Sequence, residues 1–250
     1  MMMAAVFIEM EYSRLLEFYF KHKSKLKLKF KMRSLLSALF LLLLFCCKPS
    51  TAQNIDNKQN DEKYIFFLHN RFLETNEIDA IHPEYGRVEY KEILQKFKDN
   101  GFIALSEKRP TNVNAFDYAQ IISRQIDSLL KDNVPAKSIT VVGTSKGGYI
   151  AQYVSTIANN PDLNFVFIGS FRESDMEQIP DINWCGNVLN IYEMTDPAGI
   201  SALSRKKASS CEIAHYKDIE LNTGLQHGFL FKALDAWMVP AMNWADGDYN

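Results

Sequence analysis

Ile139-Thr140-Val141-Val142-Gly143-Thr144-Ser145-Lys146-Gly147-Gly148-Tyr149-Ile150-Ala151 contains a strand, a very tight turn and a helix that starts at once. The β-branched apolar run Ile139 to Val142 suits a strand covered on both faces. Gly143 and Gly147 remove side chains where backbone must cross backbone. Gly148 and Ala151 keep the following helix thin enough to lie close against a sheet. Gly143-Thr144-Ser145-Lys146-Gly147 matches G-x-S-x-G, the strained elbow that pushes a serine hydroxyl out above the sheet. The helix start aims N–H groups and a positive dipole end at that hydroxyl, where an oxyanion would form. Five residues alone are a weak signal, and the weight comes from the strand–turn–helix context and from partners downstream.

Outward from the elbow the same alternation recurs. Upstream, Tyr64 to Leu68 reads as a buried strand. Residues 75–86, with Pro83 and Gly86, read as a loop. Tyr90 to Lys98 has helical spacing, stopped by Asn100-Gly101, and Phe102 to Leu105 is a strand. Asn114 caps a long helix with an apolar stripe of Tyr118, Ile121, Ile122, Ile126, Leu129 and Leu130. Downstream, Phe165 to Ile168 and Val188 to Tyr192 are strands, and His215 to Leu221 is a weaker one. Phe229 to Met238 is predicted as the last helix, ending before Pro240. Strands alternating with helices predict an α/β fold with a doubly wound, mostly parallel sheet of about six strands.

The chain has 250 residues, 47% hydrophobic and 23% charged, enough for one sizeable domain. Leu35 to Cys47 is an apolar run broken only by Ser37, preceded by Lys31 and Arg33 and followed by Pro49-Ser50-Thr51-Ala52. A basic lead, a short apolar stretch and a small-residue cleavage site predict a secretory signal over 32–52. The run is too short to span ~30 Å of hydrocarbon comfortably. A basic lead normally starts close to the initiator, so Met32 is the expected start and 1–31 an upstream extension; the alternative is a long cytoplasmic lead. Residues 53–62 are polar and aperiodic, a flexible lead-in to a domain over 63–250.

The formal net charge of the whole chain is −2. Residues 1–52 hold nine of its 28 basic and three of its 30 acidic residues, leaving 19 and 27, or near −8. No basic cluster remains, which argues against a nucleic-acid partner. Cleavage leaves Cys185 and Cys211, a candidate disulfide in an exported protein, with two buried thiols as the alternative. Cys46 or Cys47 could carry a lipid anchor instead, although Phe45 before Cys46 fits that poorly. The cysteines lack metal-ligand spacing, and no glycine loop for phosphate is present; nothing in the sequence calls for a metal or a cofactor.

A serine nucleophile needs a base within hydrogen-bond reach, and the base needs a third group to orient it. In open α/β sheets such groups come from loops at the carboxyl ends of strands. Asp196 follows the strand ending at Tyr192. His227 follows the last strand, just before the final helix. The order Ser145, Asp196, His227 is the one that accompanies an elbow serine. On these motifs, and on His69-Asn70 after the first strand, residues 63 to about 240 resemble a small α/β-hydrolase. That family has eight strands where six are visible here, so the resemblance implies a minimal version with little or no lid. It also implies an oxyanion hole made by the N–H of Lys146 and an N–H of the loop after the first strand. Many relatives carry His-Gly in that loop. Here Asn70, tolerant of the left-handed conformation, is expected to stand in for the glycine, with the Arg71 N–H as donor.

Other assignments compete. His215 is the rival base, at the wrong end of its strand, and Glu193, Asp175 and Asp181 are alternative acids. His227 could be satisfied by backbone, and Asp196 could cap a helix starting near Ile200. His69 is expected to shape the oxyanion loop, His82 to lie on the loop surface, and Arg109 to sit in a salt bridge rather than bind an anionic substrate. The leading expectation is an exported serine hydrolase acting on an ester or related acyl bond of a small molecule. The alternatives are a peptidase or thioesterase of the same fold, or a hydrolase-fold binding protein without turnover. Oligomeric state is not legible.

Overall fold

A computed structural model describes residues 61–250. The predicted extension over 1–31, the signal over 32–52 and residues 53–60 of the lead-in lie outside the described residues. Asp61 and Glu62 are exposed and without regular structure.

Strand β1 (Lys63–Leu68) is followed by a one-turn helix α1 (Phe72–Thr75), a small hairpin of β2 (Ile81–His82) and β3 (Gly86–Arg87), and helix α2 (Tyr90–Asp99). The alternation continues through β4 (Phe102–Leu105), α3 (Ala115–Lys131), β5 (Ile139–Thr144), α4 (Lys146–Ala158) and β6 (Asn164–Ile168). Short α5 (Asp175–Gln178), β7 (Asn187–Glu193), α6 (Leu203–Ala208) and β8 (Tyr216–Leu221) lead to a 3-10 turn (Gln226–Phe231) and α7 (Asp235–Ala245). Six strands form one sheet in the order β4-β1-β5-β6-β7-β8, every pair parallel. This is the expected doubly wound α/β architecture with a parallel sheet of six strands, and among the described residues no strand lies beyond β4 or β8.

Burial on both faces explains the unbroken apolar runs. Successive side chains of β1 go to opposite layers: Ile65 and Phe67 join a core with Phe97 of α2 and Trp237 of α7. Phe66 and Leu68 join a second core with Tyr118 of α3 and Ile150 of α4. Val141 and Val142 divide in the same way, as do Phe165 and Val166. The chain steps outward from β1 to β4, then returns past β1 to β5. Crossovers of one hand taken in opposite directions put their helices on opposite faces, which is why α2 and α3 lie in different cores. The reversal leaves a crevice at the carboxyl ends of β1 and β5.

Local signals hold in detail. The Asn114 side-chain oxygen accepts from the N–H groups of Phe116 and Asp117 at 2.9 and 3.1 Å, capping α3. Cys185 and Cys211 are joined as a disulfide that links the approaches to β7 and β8.

Four expectations need correction. The last helix does not stop before Pro240: residues 226–231 form a 3-10 turn, and Pro240 lies inside α7. Pro240 forfeits one N–H bond, but Trp237, Met238, Ala241, Met242, Trp244 and Ala245 are all buried, so packing outweighs propensity. Ile121 is not part of the buried stripe of α3; it is 39% exposed and Ala119 takes the place against the core. Residues 75–86 are not all loop, since Ile81–His82 pairs with Gly86–Arg87. His82 does not lie free on the surface but stacks on Tyr85, centroids 4.6 Å apart.

Candidate active site

Ser145 sits between the last residue of β5 and the first of α4 with φ 49° and ψ −117°, strained for a residue with a Cβ. The turn is held because Gly143 and Gly147, two residues to either side, have no side chains. A Cβ on Gly147 would overlap the Leu68 carbonyl oxygen, and one on Gly143 would overlap the Gly147 carbonyl. The Ser145 N–H donates to the Ile168 carbonyl at 2.8 Å, tying the elbow to β6 as well.

Asp196 lies three residues beyond the end of β7, where its N–H donates to the Glu193 carbonyl at 2.9 Å. Its side chain is fully buried; Oδ1 accepts from the Ala198 N–H at 2.8 Å, and Oδ2 meets His227 Nδ1 at 2.6 Å. His227 Nε2 lies 3.0 Å from Ser145 Oγ. A carboxylate can only accept, so the hydrogen-bond pattern assigns the imidazole proton to Nδ1 and leaves the Nε2 lone pair toward the serine hydroxyl. The three predicted residues therefore meet in one chain of two hydrogen bonds.

The rival groups are engaged elsewhere. His215 stacks on Tyr249, centroids 4.0 Å apart, at the amino end of β8. Asp175 accepts from the Tyr149 hydroxyl and the Arg172 N–H at 2.8 and 2.7 Å, and Asp181 is exposed. Glu193 is buried and accepts from the N–H groups of Thr223 and Gly224 and from the Thr223 hydroxyl. Burial pushes its carboxyl up, yet these donors outweigh it and hold it below the usual range. Glu193 thus fastens the loop that leads into His227.

Lys146 opens α4, so its amide is one the helix leaves without a carbonyl partner. Arg71 precedes α1 and is exposed, while Asn70 is buried. Asn70 is not in the left-handed region, contrary to expectation. The loop after β1 makes its turn without a positive φ, so no glycine is needed there. His69 donates from Nδ1 to the Asn70 carbonyl at 2.7 Å and accepts the Arg109 N–H on Nε2 at 2.9 Å. Burial and the nearby Arg109 charge push its pKa down to about 3, so it stays neutral. Arg109 is in a buried salt bridge, as expected: its Nε donates to Glu74 Oε1 at 3.0 Å.

A cleft of about 300 Å³ opens over these groups, lined by Asn70, Arg71, Phe72, Tyr85, Ser145 and His227 among others. The hairpin supplies one wall. The Tyr85 ring packs where a Cβ on Gly228 would come within 3.0 Å, and His82 and Phe231 complete an aromatic rim. Sequence reasoning missed this hairpin because its arms are two residues long, too short for any periodicity. It also missed Glu74, one of three acids within residues 74–79 with nothing in the sequence to set it apart.

No protein-family model matches the sequence, and no curated protein matches it. Among solved structures the chain is similar to SOBER1 of Arabidopsis thaliana, at 15% identity over 72% of this chain and 99% of that one, TM-score 0.43. It is similar to a feruloyl esterase module from Clostridium thermocellum, at 13% identity over 72% and 79%, TM-score 0.46. It is also similar to an esterase from Pyrobaculum calidifontis, at 15% identity over 76% and 78%, TM-score 0.47.

Proposed function

We propose that the protein is an exported serine hydrolase that cleaves an ester or related acyl bond of a small molecule. The observation that carries this reading is the hydrogen-bonded series Asp196–His227–Ser145, at 2.6 and 3.0 Å, at the mouth of a cleft. Ser145 Oγ attacks the acyl carbon while its proton passes to His227 Nε2. Asp196 holds the imidazole in the receptive tautomer and faces the imidazolium that forms. Collapse of the tetrahedral intermediate expels the alcohol, which takes the proton from His227, and leaves the acyl group on Ser145. Water then attacks by the same route in reverse, releasing the acid. The amides of Lys146 and Arg71, with Asn70 shaping the loop, stabilise the oxyanion; loss of one such donor typically costs ~10²–10³ in rate.

Export is supported by the apolar run at 35–47 and by the Cys185–Cys211 disulfide, which belongs in an oxidising compartment. Among the described residues no helix is long and apolar enough to cross a membrane. Fluorophosphonate labelling of the purified protein beside the Ser145→Ala variant tests the chemistry, followed by p-nitrophenyl esters of graded acyl length. Labelling and turnover lost together in the variant support the assignment. A folded protein that neither labels nor turns over any ester refutes it.

A further inference from the structure

The two oxyanion donors lie on separate segments, and the sheet does not hold them together. Pairing between β1 and β5 ends at Leu68 and Gly143, before either Arg71 or Lys146 is reached. What bridges the gap is a buried charged cluster. The Glu74 side chain is fully buried, with Oε2 2.6 Å from Lys146 Nζ and Oε1 3.0 Å from Arg109 Nε. Arg109 also donates from Nη2 to the His69 carbonyl, and to the Asn70 carbonyl at 3.4 Å. The Asn70 carbonyl accepts from His69 Nδ1 as well.

A trans peptide puts C=O and the next N–H on opposite sides. Fixing the Asn70 carbonyl toward Arg109 therefore fixes the Arg71 N–H away from Arg109 and prevents the peptide from flipping. The other end of Glu74 takes hold of the very residue whose amide is the second donor. Stability does not explain this arrangement, because a buried ion pair usually does no better than apolar packing of the same volume. Alignment does: a donor misplaced by about 1 Å can cost ~10²-fold in rate.

Resting on the serine-hydrolase reading above, we infer that Glu74 is a positioning residue that sets the orientation and separation of the Arg71 and Lys146 amides. The Glu74–Arg109 contact fixes the first donor, and the Glu74–Lys146 contact registers it to the second. None of the three side chains contacts Ser145 Oγ or His227.

Glu74→Gln leaves two cations beside a neutral amide and risks misfolding, so the decisive variant is Lys146→Met, which keeps the backbone donor, the Glu74–Arg109 pair and most of the side-chain volume. The assay is p-nitrophenyl ester hydrolysis by the full-length protein, with thermal unfolding and inhibition by an alkyl trifluoromethyl ketone measured in parallel. The expected result is a kcat lower by about 10- to 100-fold with KM within about twofold, the signature of an interaction made only in the transition state. Affinity for the ketone, which forms a tetrahedral adduct, falls in proportion, and Lys146→Arg recovers most of both. Unchanged kcat in Lys146→Met, or a loss that Lys146→Arg does not recover, overturns the inference while leaving the hydrolase reading intact. A wild-type protein without turnover removes both.

Discussion

Replacing Asp196 by Asn should disable the site through the identity of one proton. Asp196 has two partners, His227 Nδ1 on Oδ2 and the Ala198 N–H on Oδ1, at 2.6 and 2.8 Å. Asparagine brings one accepting end and one donating end to the same places. The Ala198 N–H can only donate, so the amide oxygen turns to it and the NH₂ group turns to His227. The opposite orientation would set donor against donor and leave a buried N–H unpaired, at about 1–3 kcal/mol, a bias of roughly 5- to 150-fold. His227 Nδ1 must then accept, its proton moves to Nε2, and Nε2 can no longer receive the proton of Ser145. The imidazolium formed in the reaction also loses the carboxylate that faced it, a charge-assisted bond of about 1.5–3 kcal/mol. Combined, the two losses give a kcat lower by roughly 10²- to 10⁴-fold, with the same change in a serine-protease triad at the upper end of that range. KM should move less than about threefold, and the melting temperature should stay within a few degrees because the side chains are nearly the same size. Steady-state kinetics on a p-nitrophenyl ester decides the matter. A kcat within tenfold of wild type at neutral pH would refute the tautomer reasoning.

Three further perturbations test how the site is held. Gly147→Ala forces a Cβ into the Leu68 carbonyl; with backbone on both sides, relief costs about 3 kcal/mol and lowers the melting temperature by roughly 6–12 °C. A melting temperature within 2 °C of wild type would show that the elbow and β1 are free to separate. Reducing the Cys185–Cys211 disulfide, which spans a separation of 26 residues, should cost about 3.5 kcal/mol on a chain-entropy basis. It should leave kcat at 25 °C unchanged, because the bridge lies at the opposite ends of the strands from the cleft; thermal unfolding and initial rates with and without reductant read both. His69, with its pKa pushed down from 6.5 to about 3, favours the folded state only while neutral. Its contribution is full above about pH 6.5 and is lost as pH falls toward 3, with a slope near 1.4 kcal/mol per pH unit. Urea unfolding of wild type and His69→Gln between pH 4 and 7 should show the wild-type stability falling more steeply; parallel curves would contradict the assignment.

The sheet was legible because both its faces are covered, so β1, β5 and β6 appear as apolar runs that need no alternation to be found. The elbow was legible because backbone contact demands glycine at Gly143 and Gly147, and only a few turns do so. The order of Ser145, Asp196 and His227 followed from placing each after a strand. What remained hidden depended on three-dimensional neighbours. Glu74 shows its role only beside Arg109 and Lys146, 35 and 72 positions away in the chain. Tyr85 and His82 belong to a hairpin too short to leave a pattern. Pro240 signals a helix end in isolation, and only the packing of Trp237 and Trp244 around it shows why α7 continues. Asn70 was expected to stand in for a glycine because it tolerates a left-handed backbone, where the actual loop turns without one.

The disulfide joins the amino-terminal approaches of β7 and β8, while the cleft, the hairpin and all three hydrogen-bonded residues lie beyond carboxyl ends. The molecule is thus pinned at one pole and open at the other. Segments on the open pole, such as residues 76–80 between α1 and the hairpin, can lengthen without crossing the pinned one. A lid grafted there would reshape what enters the cleft while leaving the sheet's own cohesion untouched, which makes this small chain a chassis for substrate selection by loop insertion.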